Sequence, residues 1–272
     1  TEYYGRRNFY CLRWKGHRKN GNTVYHKNPG ERIGSKRKEG VRMFSVSFNG
    51  ITDMESGVIA VRRPSIPAPV KAYEEIIIPG RDGALYVDQG RYEPIVIPVE
   101  FNFMSRPSEW GNRYREAQKW LSGSGELTFS DDQYHFYRVY YAEITDTERT
   151  SRRIGTFTAE FHCDPYAYLV SGKEKKTESE VEYNPYEICH PTYIITGEGM
   201  CGLAVNGKSM TANISGSLSI DTENMEAVNG SGQNRNTSVN GDYEDLWLNP
   251  GNNTIGISSG FQLEIIPNWR EL

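Results

Sequence analysis

Ile76-Ile-Ile-Pro-Gly-Arg-Asp-Gly-Ala-Leu-Tyr-Val-Asp-Gln-Gly90 decides how the rest of the chain is read. Three β-branched residues in a row predict a buried strand. Pro79-Gly80 must end it, because proline lacks an N–H and glycine opens positive φ. Asp82-Gly83 has the chemistry of a two-residue turn, and Ala84-Leu-Tyr-Val87 restarts an extended run, so the segment is predicted as strand, turn, strand. Arg81 and Asp82 have two readings at this point, a solvated charge pair of little energetic weight or part of a contact surface.

The segments on either side are also strands. Met43-Phe-Ser-Val-Ser-Phe-Asn-Gly50 alternates at period two, with Phe44, Val46 and Phe48 on one face, and ends in a turn signal. Val58–Val61 is predicted as a short strand, and Pro64, Pro67 and Pro69 then make an extended segment that cannot complete a ladder. Beyond the central hairpin, Ile95, Ile97, Val99, Phe101 and Phe103 alternate with Val96, Pro98, Glu100 and Asn102. Pro94 and Pro98 place this strand at an edge or a bulge, and an edge can dock a partner that supplies the missing hydrogen bonds. The spacing of Trp110, Tyr114, Ala117 and Leu121 predicts one helix, capped by Ser108 and ended by Gly123 and Gly125. Leu127–Phe129, Tyr134–Ile144 and Ile154–Cys163 supply further strands, and Phe157, Ala159, Phe161 and Cys163 share the apolar face of the last.

With 27 Gly and 13 Pro in 272 residues, 37% hydrophobic content and only short apolar runs, the composition is that of a mainly β protein with many turns. The length accommodates two cores. Residues 171–180 are charged and aperiodic, which predicts a domain junction or exposed loop there. Beyond it, Asn206-Gly207, Asn229-Gly230, Asn240-Gly241 and Pro250-Gly251 punctuate short strands at Tyr193–Ile195, Leu203–Val205, Leu218–Ile220, Thr254–Ile257 and Phe261–Ile266. That pattern predicts an antiparallel sandwich.

The net charge of −4 hides two unlike parts: residues 1–42 carry 12 Lys/Arg against 3 Asp/Glu, which leaves 19 against 32 on the remainder. A body at −13 thus follows a head at +9. Clustered cations such as Arg6-Arg7, Arg18-Lys19 and Lys36-Arg-Lys38 fit an arm for nucleic acid. The other reading is that residues 1–42 are not native to the protein. The first Met is Met43, and Lys38-Glu39-Gly40 is what a purine-rich ribosome-binding site gives when translated in frame. No run approaches the length of apolar residues that spans a bilayer, and no apolar segment of the secretory kind follows the N-terminus. The expectation is a protein made in the cytoplasm without membrane insertion.

Little in the sequence points to catalysis. Cys11, Cys163, Cys189 and Cys201 are not spaced as C-x-x-C, and the neighbours His162 and Cys163 point to opposite faces of a strand, so no metal site or cofactor is expected. No G-x-S-x-G elbow, H-E-x-x-H pair or Walker loop occurs. Asp131-Asp132 and Glu244-Asp245 are the carboxylate pairs a glycosidase would draw on, but such dipeptides are ordinary turn residues. Trp247 and Trp269 are the residues that could stack on a sugar ring.

Phe48-Asn-Gly50, the proline run, Pro79-Gly-Arg-Asp-Gly83, the helix from Trp110 to Leu121 and Phe161-His-Cys-Asp-Pro-Tyr166 follow one another in an order that resembles the distal tail proteins of long-tailed bacteriophages and prophages. Ile195-Thr-Gly-Glu-Gly199, Val205-Asn-Gly207, Ile220-Asp221 and Leu248-Asn-Pro-Gly-Asn-Asn-Thr-Ile255 extend the match, which covers Met43 to Leu272 and leaves residues 1–42 outside. The resemblance implies a ring-forming, β-barrel-like N-terminal domain related to tail-tube proteins (43–170) and a galectin-like antiparallel β-sandwich (171–272). It implies a non-enzymatic hub of the virion tail tip, a homohexamer that joins the tail tube protein to tail-tip proteins and lets DNA pass. In some phages, receptor-binding proteins attach to it as well. Sequence-specific nucleic-acid binding is not expected. Arg81, Asp82, Ile95, Ile97, Val99 and Phe101 are the expected subunit-interface residues. The alternative is a carbohydrate-binding accessory module that recognises cell-surface glycan through Trp247 and Trp269.

Overall fold

The computed structural model describes residues 44–272 and, before them, the backbone of two strands, β1 (Gly16–Lys19) and β2 (Asn22–Tyr25). Thr1–Met43 and Phe44–Leu272 are two separate units. Within the first, β1 and β2 pair antiparallel, with Lys19 opposite Asn22. The other expectations for residues 1–42 lie outside the described residues.

The second unit begins with β3 (Val46–Phe48), β4 (Ile51–Thr52) and β5 (Ile59–Ala60), the last only two residues of the strand predicted at 58–61. After β6 (Lys71–Ile77) and β7 (Ala84–Tyr92) come β8 (Ile95–Met104), helix α1 (Trp110–Trp120), β9 (Gly125–Phe129), β10 (Asp132–Glu148) and β11 (Ile154–Leu169). One antiparallel sheet runs in the order β4-β3-β9-β10-β11-β8-β5. Period-two alternation dictates its inner face: Ile95, Ile97, Val99, Phe101 and Phe103 of β8 and Phe157, Ala159, Phe161 and Cys163 of β11 are all buried. The sheet curls, so that Phe48 near one end meets Phe161 edge-on at 5.5 Å.

Asp53 draws the two ends of that sheet together. Its carboxylate is fully buried and accepts from the Ser45 hydroxyl (2.6 Å), the Met54 amide (2.9 Å) and the Ala60 amide of β5 (2.9 Å), while its own amide donates to Val46 of β3 (2.8 Å). Helix α1 covers the open side through Ala117 and Leu121, with Trp110, Tyr114 and Trp120 against the same core. Ser108 does not cap the helix. The N-cap is Glu109 and no side chain bonds the free amides; the serine lies one residue too early to reach them.

A second core follows. The charged stretch at 171–180 is more ordered than its composition suggests: Thr177 and Glu180 form a reciprocal capping box on the short helix α2 (Glu178–Val181). β12 (Tyr183–Asn184) precedes the long pair β13 (Thr192–Val205) and β14 (Lys208–Asp221), joined at Asn206-Gly207 and matched over 14 residues each. β15 (Glu226–Asn229) and β16 (Val239–Asn240) flank β14, β17 (Gly251–Asn252) pairs β12, and β18 (Ile255–Ile257) and β19 (Gln262–Ile266) flank β13. Their inner face packs on Val181, Cys189, Leu246, Leu248 and Trp269, which makes a lopsided sandwich. The last strand, β20 (Arg270–Glu271), returns to pair with Ala167 and Tyr168 of β11 in the first sheet.

Asp53→Ala removes the acceptor for three donors in a dry site. The expected cost is about 3 kcal/mol, read as a lowered denaturant midpoint at unchanged slope.

Candidate assembly surfaces

The decisive stretch is a hairpin, but not a buried one. β6 and β7 pair only with each other, as a two-stranded sheet apart from the core. Ile76, Ile77 and Ile78 are all exposed, Ile77 at 77%, and so are Tyr73, Leu85, Tyr86 and Val87. The β-branched run predicts strand correctly and burial wrongly, because no other layer among the described residues covers either face. The connection is also longer than two residues: Ile77 faces Ala84, so residues 78–83 form the loop, with positive φ at Gly80 (82°) and Gly83 (76°). Arg81 and Asp82 lie exposed at its tip. Lys71 and Asp88 (2.8 Å) clasp the hairpin nearer its base.

Ile95, Ile97, Val99 and Phe101 cannot offer side chains to a partner, since all four are buried in the first core. What the strand offers is backbone. β5 covers β8 only at Phe101 and Asn102, with one further bond from the Val61 amide to the Glu100 carbonyl (2.8 Å). Backbone groups of alternate residues point the same way, so Val96 and Pro98 also face the side away from β11. Pro98 is tolerated there for want of a ladder partner. The uncovered edge therefore carries two carbonyls but only the Val96 N–H as a donor.

The solvent face of the same sheet is acidic. Glu143 of β10 lies directly across from Glu160 of β11; Glu100 of β8, opposite Thr158, is paired with Arg62 (3.7 Å). Like charges facing each other across strands destabilise a sheet, so this pair is not explained by folding. Beside it, His162 stacks on Tyr141 at 4.2 Å, on the face opposite the buried Cys163. Burial pushes the Cys163 thiol up to about 12.

Between the two cores lies a cluster of charge that the sequence did not reveal. Arg138 of β10 donates to Glu223 (2.9 Å), in the turn after β14, and its guanidinium covers the Tyr168 ring at 3.9 Å. The His190 Nδ1 lies 3.5 Å from the other Glu223 oxygen, and its Nε2 lies 3.0 Å from the buried Arg270 guanidinium. Tyr168 donates to Asp164 (2.6 Å). Burial alone would raise the Glu223 carboxyl, but the His190 hydrogen bond and the charges of Arg138 and Arg270 overcome it and hold the carboxyl at about 2. Asp164 moves the other way, raised chiefly by burial. Trp247 belongs to this cluster: one face stacks on His190 at 4.2 Å and its indole N–H donates to Thr222. Trp269 is buried in the second core at 5% exposure, so it presents no ring face to a sugar. Of the acidic pairs, Asp131 is bound by Arg63, Asp132 by His135 and Asp245 by Lys208.

Residues 53–163, which hold most of the curled sheet, the hairpin and the helix, match the family model of the phage tail protein RIFT-related domain. That part of the chain is a phage-tail domain. Over most of its length the chain has a fold similar to that of the Dit protein (gp 19.1) of SPP1, which is described as a paradigm of the hub adsorption apparatus in phages that infect Gram-positive bacteria. The two share 15% identity at a TM-score of 0.57, over 85% of this chain and 99% of that one. No curated protein matches the sequence.

Because the folded-state Glu223 carboxyl is held at about 2, against about 4.3 in an unfolded chain, it stabilises the fold above that unfolded value. This contribution fades as the pH falls from about 4.3 towards 2. Glu223→Gln is expected to remove about 2–3 kcal/mol of that acid-dependent stability, measured as the denaturation midpoint between pH 2 and 7. Asp164 is raised in part by the Glu223 charge as well as by burial, so the comparison reads Glu223 together with its effect on Asp164.

Proposed function

We propose that the chain is the structural hub of a phage tail tip, a homohexameric ring that joins the tail tube to the tail-tip proteins. Residues 43–170 form the ring, and residues 171–272 make a galectin-like module that meets other tail proteins or receptor-binding arms. The protein works in the virion, after synthesis in the host cytoplasm.

The observation that carries this reading is the hairpin β6–β7, which no other layer among the described residues covers. Two-stranded sheets are marginally stable alone in water, and an exposed run of isoleucine, leucine and tyrosine on one is a contact surface awaiting cover. A second copy of the chain supplies that cover when each hairpin lies against its neighbour. Such a head-to-tail contact closes into a ring when the rotation between copies allows it. Arg81 and Asp82 then sit at the contact, and the backbone edge at Ile95–Val99 is the nearest part of the sheet left open to a neighbour.

The acidic sheet face supports passage of DNA. In a ring with Glu143 and Glu160 towards its lumen, repulsion keeps a duplex from adhering, whereas a basic wall would hold it. The cost of facing Glu143 with Glu160 is then a cost to folding that serves transport.

Light scattering of the full chain after size exclusion is expected to give the mass of a hexamer, or a concentration-dependent rise towards it. Ile77→Ser with Tyr86→Ser is expected to weaken association at least about tenfold, about 1.4 kcal/mol, without lowering the denaturation midpoint. A mass unaffected by the double substitution would remove the hairpin from the contact.

A further inference from the structure

One end of the first sheet gathers arginines that nothing above employs. The turn between β10 and β11, the end of β8 and the approach to α1 meet there. The Ser105 amide donates to Arg153 (2.9 Å), and Arg149 donates to the carbonyls of Arg152 (3.0 Å) and Pro107 (3.4 Å) while its guanidinium lies over the Trp110 ring at 5.2 Å. Arg106 pairs weakly with Glu109 (3.8 Å). Arg149, Arg152 and Arg153 make no ion pair among the described residues, although residues 43–272 as a whole carry 32 acidic groups against 19 basic ones. Asp146 and Glu148, both exposed near the end of β10, are further carboxylates at this end.

Two further features accompany the charge. Met104 and Ile154 face each other across β8 and β11, and both side chains are exposed, at 72% and 41%. Next to them Pro107, Arg149, Ser151 and Arg152 line an open hollow of about 560 Å³. An apolar pair beside a hollow, ringed by arginine, has the anatomy of a protein contact: an apolar centre that loses water and a polar rim that sets partner and orientation.

We propose that this end of the sheet is a docking face for a carboxylate-rich protein surface, with Arg149, Arg152 and Arg153 as the cationic rim and Met104 and Ile154 as the apolar centre. Charge complementarity fixes the sign of the partner. The exposed apolar pair and the hollow separate a protein from duplex DNA, because phosphates ask for cations alone and offer nothing to Met104 or Ile154. The inference rests on the hub reading only in taking another tail component as the source of the acidic surface.

The test uses the full chain with ¹³C-methyl methionine, titrated with poly-L-glutamate and separately with a short random-sequence DNA duplex. Met104 reports on the docking face. Met54 and Met200, each 67% exposed, report on surface elsewhere, and the buried Met210 reports that the fold is intact. Poly-L-glutamate is expected to move the Met104 methyl saturably while Met54 and Met200 stay in place, and Arg152→Glu with Arg153→Glu is expected to weaken that response at least about tenfold. A silent Met104, a response unchanged by the double substitution, or a DNA duplex that moves Met104 as strongly as poly-L-glutamate would each overturn the proposal. Failure of the chain to form a ring would not alter this titration, so the two readings fail separately.

Discussion

Strand β11 must satisfy its backbone on both edges over 16 residues, and the rest of the structure is arranged to let it. β10 covers one edge between Thr156 and Cys163 and again from Ala167 to Leu169, with register shifts along the way. β8 covers the second edge from Ile154 to Cys163, and β20, the last strand of the chain, covers Ala167 and Tyr168. A strand spaced by β8 and β20 in this way ties the two cores together through hydrogen bonds rather than through a linker. Arg138, Glu223, His190 and Arg270 gather at the same junction, where the ladder passes from β8 to β20. Removing Glu223 would leave the part-buried Arg138 without its ion-pair partner at the seam.

The curled sheet and the free hairpin then follow from the same economy of cover. The inner face of β8, β10 and β11 is apolar enough to bury itself against α1 and the opposite wall, and Asp53 holds the ends together with a side chain where no backbone ladder closes them. The hairpin between β5 and β8 takes no part in this. Its apolar residues are those of a buried strand without the second layer that burial requires, and in the proposed ring another copy is that layer. Stability within one chain and assembly between chains are thus assigned to separate parts of the same domain.

Much of this was legible in the residues. The alternation from Ile95 to Phe103 predicted an apolar face that is buried at every position, Trp110 to Leu121 predicted the helix, and Asn206-Gly207 predicted the turn of the longest hairpin. The exposure of Ile76–Ile78 was not legible, because a β-branched run reports strand propensity and says nothing about whether a layer will cover it. Ser108 misled for a simpler reason: capping depends on a one-residue register that propensity does not fix. The surfaces were harder still. Glu143 and Glu160 become neighbours only through the register of β10 and β11, and Arg138 and Glu223 are 85 positions apart. A sequence can show that these residues are charged, but not that they meet. The signals that existed were of composition, an acidic body with arginines concentrated around positions 106 and 149–153 and a threonine three residues before a glutamate at Thr177.

Cryo-electron microscopy of tails isolated from virions that carry this chain tests the central claim most directly. The account predicts six copies in a closed ring at the distal end of the tail tube, with each β6–β7 hairpin lying against the neighbouring copy and Glu143 and Glu160 towards the central channel. A ring whose inner wall is net positive would contradict the assignment of the sheet face, and a tail tip without a ring of this chain would contradict the hub itself.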